Sequence, residues 1–145
     1  MLPVGQSQAS TGAHMAAHIE AEASKLHDQS DQWADAADLY VAAAQLREDD
    51  DPQGQTDLFI AANLRNAIGD AAGAIAALES AGSRAAASGD YGQALAMFVD
   101  GASVARKAGL RSDKRRLDNK SAELIGSRDL TNVERDLIFQ RLQGG

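Results

Sequence analysis

No cysteine occurs in the 145 residues, which excludes disulfides, thiolate catalysis and Cys-ligated zinc or iron–sulfur clusters. There are only two prolines, and aromatics make up 4%. β-Branched residues are sparse too, so the alphabet is rich in alanine and favours an all-α chain. No window approaches 18 consecutive apolar residues, which excludes a transmembrane helix. The N-terminus has neither a basic n-region nor an apolar h-region, so no secretory signal is expected, and the cytoplasm is the expected location. Positive charge is in deficit: the net charge is −7, which argues against general binding to phosphate backbones.

The chemistry of catalysis is equally thin. The glycines from Gly101 to Gly109 lack the Lys-Ser/Thr pair of a phosphate-cradling loop. All three histidines, His14, His18 and His27, lie near the N-terminus, and no Ser/His/Asp arrangement suggests a nucleophile. No enzymatic activity and no cofactor are expected.

What is there is a repeated helical stripe. In GDYGQALAMFVDGASVARKA (residues 89–108), Ala94, Leu95, Phe98, Gly101 and Ala102 follow Tyr91 at offsets 3, 4, 7, 10 and 11. That is one face of a 3.6-residue helix. Asp90 stands just before it as an N-cap after the turn glycine Gly89. The same offsets recur in Trp33, Ala36, Ala37, Tyr40, Ala43 and Ala44. They recur again in Ala71, Ala74, Ile75, Leu78, Ala81 and Gly82, preceded by Gly69-Asp70. The small residues let a second backbone come close and the large one fills the remaining gap. Recurrence on this scale predicts stacked helical units.

Taken along the chain, residues 1–12 read as a disordered tail, and Gly12-Ala13-His14-Met15 resembles a cloning scar. One domain is expected over 13–143, a chain long enough to bury roughly 68–70% of its unfolded surface. A first helix is expected over about 13–29, with Ile19, Ala23 and Leu26 inward, and a second over about 32–48. The acidic run Glu48 to Asp51, followed by Pro52, reads as a loop through Gly54. Further helices are expected over about 55–67, 70–87, 90–108 and 113–126, the last capped by Ser112 and stopped by Gly126. Thr131-Asn132-Val133-Glu134 has capping-box spacing and predicts a seventh, terminal helix over 131–142 that presents Val133, Leu137 and Ile138. Short links make sequential neighbours antiparallel, giving hairpins over 13–48, 55–87 and 90–126.

This pattern resembles tetratricopeptide repeats. The carriers are Gly89-Asp90-Tyr91 with Ala94, Phe98 and Ala102, and Trp33 with Ala36, Tyr40 and Ala43. Two departures stand beside it: the three matches are spaced unevenly, and Glu20 and Leu58 occupy positions where the family often has an aromatic. The resemblance implies about seven antiparallel helices in stacked hairpins and a groove that holds a peptide or protein segment.

Three constellations compete for a functional role. His14, His18 and Glu22 share one helical face at metal-ligand spacing, but no fourth ligand is evident. Asp49, Asp51, Gln53, Gly54 and Asp57 partly mimic a calcium loop, yet its twelfth position is Ile60 rather than Glu. Arg106, Lys107, Arg111, Lys114, Arg115, Arg116 and Lys120 form a basic cluster in an acidic chain. The expected partner-binding residues are Asn63 and Arg65 with Arg111, Lys114, Arg115 and Arg116, and an acidic peptide is a partner that fits them. No metal, nucleic acid or membrane is expected at any of the three. The expected function is a non-catalytic adaptor or scaffold, with a self-associating helical module, a homodimer through the last helix, as the alternative and a metal-binding or enzymatic helical bundle ranked behind both.

Overall fold

The computed structural model describes the backbone of residues 4–126, with side chains from residue 11, and single positions at 132, 135, 136 and 140. Six α-helices follow one another: α1 (Val4–His27), α2 (Trp33–Leu46), α3 (Pro52–Ala67), α4 (Ala71–Ala87), α5 (Tyr91–Ala108) and α6 (Arg111–Ile125). A short 3-10 turn, Ser30–Gln32, leads into α2, and no strand occurs among the described residues. Each helix packs on the next. The expected seventh helix over 131–142 falls, apart from the single positions, outside the described residues.

The glycine-aspartate turns set the bounds of α4 and α5. Asp70 accepts from the amide of Gly73 at 2.9 Å and Asp90 from that of Gln93 at 3.2 Å, which satisfies amides that have no carbonyl partner within the helix. Gly69, Gly89 and Gly109 have positive φ, a conformation that side chains with a Cβ rarely adopt. The three stripes face inward. Tyr40, Leu78 and Phe98, which share one offset, are 7%, 4% and 4% exposed. One apolar cluster joins Ala23, Ala36, Tyr40, Leu58, Leu64 and Leu78 across α1 to α4. A second joins Ile75, Phe98, Ala102 and Leu117 across α4 to α6. Trp33 is half-buried and donates its indole N–H to the His27 carbonyl at 2.8 Å.

Three boundaries differ from expectation. The tail expected over residues 1–12 is helical from Val4. A Cβ on Gly12 would stand 2.6 Å from the Leu46 carbonyl oxygen, so this polar stretch runs close against the end of α2. The loop expected through Gly54 ends at Asp51: Pro52 opens α3, and the Asp51 carboxylate accepts from the Gln53 amide at 2.9 Å. Proline is suited to a first helical position because its missing N–H would be unsatisfied there anyway. Helix α6 begins at Arg111, ahead of Ser112, and has no side-chain cap.

Candidate functional site

The end of α2 is held by two arginines. Arg47, just past the helix, donates from Nε to Glu20 Oε2 at 2.7 Å and from Nη2 to Glu20 Oε1 at 2.6 Å. Its Nη1 donates to Asp51 at 2.9 Å, and Asp57 lies 3.8 Å from its Nε. One guanidinium therefore faces three carboxyls drawn from α1, the α2–α3 connection and α3. Asp57 is fully buried. Its Oδ1 accepts from Gln53 Nε2 at 3.0 Å, while its buried Oδ2 has no hydrogen-bond partner among the described residues. Burial, and then the neighbouring Glu20 carboxyl, push Asp57 up to about 7. Burial also pulls Glu20 upward, but the Arg47 fork and the neighbouring Asp57 outweigh it and leave Glu20 lowered.

Arg84, from α4, caps the same end. Its Nη2 donates to the carbonyls of Ala44, Arg47 and Glu48 at 2.8, 3.0 and 3.2 Å, of which Ala44 and Glu48 also accept from the backbone amides of Arg47 and Asp51. A cation is also favoured there by the helix dipole. The guanidinium passes so close to α3 that a Cβ on Gly54 would meet Nη2 at 2.7 Å. Glycine at this helical position makes room for the clasp.

This clasp brings the C-terminal ends of α2 and α4 together, so the two helices run parallel with α3 beneath. Between them lies a groove of about 490 Å³. Val41, Ala44 and Gln45 line it from α2, Ala76, Ser80 and Ser83 from α4, and Leu58 from α3. Val41, Gln45 and Ala44 repeat at helical spacing, as do Ala76, Ser80 and Ser83, so each helix turns one stripe toward the gap. Glu79 also borders it but is occupied: Arg116 donates to its two oxygens at 3.0 and 2.9 Å, and Lys120 approaches at 2.7 Å.

None of the six partner-binding residues expected from the sequence lines this groove. Arg65 is half-buried and donates to Asp38 at 3.1 Å and to the Gly73 carbonyl at 3.2 Å. Lys114 pairs with Asp118 at 2.6 Å, and Arg116 also holds Asp113 at 2.7 Å. Asn63, Arg111 and Arg115 are exposed. Asn63 and Arg65 stand on α3 and the other four on α6, two helices that are not packed against each other as sequential neighbours are. Of the two other constellations, His14 and His18 are exposed on α1, with Glu22 paired to Lys25 at 3.1 Å. The calcium-loop residues Gly54 and Asp57 are inside α3, turned toward Arg84 and Glu20. Among the described residues, no group of three or more His, Asp or Glu side chains is arranged to hold a metal ion.

Compared with known proteins, the chain matches no protein-family model, no curated protein and no solved structure.

Proposed function

We propose that this chain is a non-catalytic interaction module of tetratricopeptide-like hairpins that docks a protein or peptide segment between α2 and α4. The observation that carries the reading is the groove itself. It is open, floored by Leu58 and walled by small residues, Ala44, Ala76, Ser80 and Ser83. Small side chains leave room for a guest, and a mostly apolar wall with a polar rim suits a folded or extended segment. A small polar ligand fits less well, because such sites need convergent polar groups to fix orientation. Here the bordering charges Glu79 and Arg84 are already bonded within the molecule.

The test is a peptide-array screen run in parallel with the wild type and with Ser80→Arg. Ser80 is exposed, so the longer side chain occupies the groove without entering the core. Peptides retained by the wild type and released by the variant support the reading. An array on which no peptide is retained, or on which both proteins retain the same set, contradicts it. Self-association through Val133, Leu137 and Ile138 is the rival reading, and light scattering across concentration separates a monomeric adaptor from a homodimer.

A further inference from the structure

We infer that the segment docked between α2 and α4 is a cationic amphipathic helix, with apolar side chains seated over Leu58 and Lys or Arg residues at both ends. The inference rests on the groove reading above and adds the chemistry of the guest.

The argument is one of uncommitted charge. Toward its N-terminus α2 carries Asp38 and Asp35 in the turns before Val41, and just past its C-terminus the chain carries Glu48. Asp35, Glu48 and the neighbouring Asp50 are exposed and have no ion pair among the described residues. The Asp49 side chain is 90% exposed and its carboxylate lies 3.6 Å from Arg84. Among the described residues the cations near the groove are already paired, Arg116 and Lys120 with Glu79 at its edge. Arg84 is bound to three carbonyls of the α2 end, Arg65 to Asp38 and Gly73, and Arg47 to Glu20 and Asp51. The exposed basic residues Arg106, Lys107, Arg111 and Arg115 lie around the α5–α6 turn, whereas the helices packed on α2 are α1 and α3. The groove is thus an apolar trough with a negative charge at each end, and complementary charges on a guest fix its register and speed its arrival.

The spacing sets the guest's shape. Asp38 to Leu46, the last residue of α2, spans about 12 Å at 1.5 Å per residue. A helix lying in the trough therefore places apolar residues at i, i+3 or i+4, and i+7 over Val41, Ala44 and Leu58. Its cations then fall about one turn beyond each end of that stripe.

The test uses three fluorescein-labelled helices about four turns long, identical in their Leu stripe, with Lys, Gln or Glu at the polar positions. Binding is read by fluorescence anisotropy at ~0.15 M salt. The proteins are the wild type, Ser80→Arg in the groove, Glu48→Lys at its end, and Glu123→Lys on the exposed side of α6. The last two change the net charge equally. The Lys helix is expected to bind the wild type, to weaken about tenfold or more with Ser80→Arg and Glu48→Lys, and to keep its affinity for Glu123→Lys. Circular dichroism on each variant secures that the fold is intact. Equal weakening by Glu123→Lys, with no effect of Ser80→Arg, means diffuse attraction to an acidic protein and overturns the inference. If the Gln or Glu helix binds as well as the Lys helix and is displaced by Ser80→Arg, the groove reading stands and the cationic guest is wrong. If no helix binds, both fall.

Discussion

A carboxyl as fully buried as Asp57 needs a proton, a cation or a set of donors. Asp57 has one amide donor, Gln53, and shares Arg47 with Glu20 and Asp51, so it keeps a proton to about pH 7. In the unfolded chain an Asp loses that proton near pH 3.9. Between those values the folded state binds the extra proton, and its stability falls as pH rises, by at most about 1.4 kcal/mol per pH unit. Above about 7 both states are ionised and the decline stops. Glu20 and Asp51, held low by Arg47 and by the Gln53 amide against the upward pull of burial, act oppositely at acid pH. The Asp57→Asn variant isolates the effect: its unfolding midpoint in urea, compared with that of the wild type, is expected to gain steadily from pH 5 to pH 7. A constant difference across that range means that Asp57 does not carry the proton.

The packing of Phe98 makes a second residue-scale test. A Cβ on Gly82 would lie 2.6 Å from the Phe98 ring, and Lys120 sits 5.5 Å from its centroid on another side. Phe98→Ala is expected to lose about 3–5 kcal/mol in urea unfolding. Gly82→Ala alone is expected to destabilise by about 1–3 kcal/mol through overpacking. In the Phe98→Ala background the same change fills space and loses that penalty, a coupling that a double-mutant cycle reads directly. Additive effects rule out the close approach.

Among the elements, legibility followed the locality of the signal. Helices α4 and α5 announce themselves because Gly69-Asp70 and Gly89-Asp90 carry both the turn and the cap within two residues. The inward stripes are legible for the same reason, since period and residue size are local properties. The start of α1 is not, because Gly12 lies close against the carbonyl of Leu46, a neighbour distant in sequence. The opening of α3 was available in Asp51-Pro52, which reads equally as a break or as a cap with proline at the first position. Nothing local distinguishes Arg47 and Arg84 from solvated arginines, although a lone Arg in the alanine-rich α4 is a faint signal. Arg84 makes an element-scale prediction. Arg84→Ala removes a donor from three carbonyls at the α2 end; Ala44 and Glu48 keep the amides of Arg47 and Asp51, and the Arg47 carbonyl is left exposed to the loss. The expected loss is about 1–3 kcal/mol, with faster hydrogen exchange in the last turn of α2 than in α5. Uniform acceleration across both helices contradicts a local clasp.

For the molecule as a whole, Arg84 does two things at once. By tying the end of α4 to the end of α2 it keeps the helices parallel, and the small residues along both then leave a gap rather than a seam. The position of that gap is illegible in the sequence, because Val41, Ala76, Ser80 and Ser83 are ordinary residues until the helices are set side by side. The expected binding residues on α6 stand out in sequence as a basic run, yet Lys114 and Arg116 are spent on Asp118, Asp113 and Glu79. The exposed charge that remains divides the molecule, negative around α2 and positive around the α5–α6 turn. An acidic guest at Arg111 and Arg115 and a cationic guest in the groove thus perturb different residues.

Amide chemical-shift mapping of the labelled protein, titrated with the Leu–Lys helix, distinguishes them in one experiment. Shifts confined to Val41, Ala44, Gln45, Leu58, Ala76, Ser80 and Ser83, with the ends marked by Asp38 and Glu48, are the expected result. Shifts centred on Asn63, Arg111 and Arg115, or spread evenly over every acidic residue, contradict a docking groove between α2 and α4.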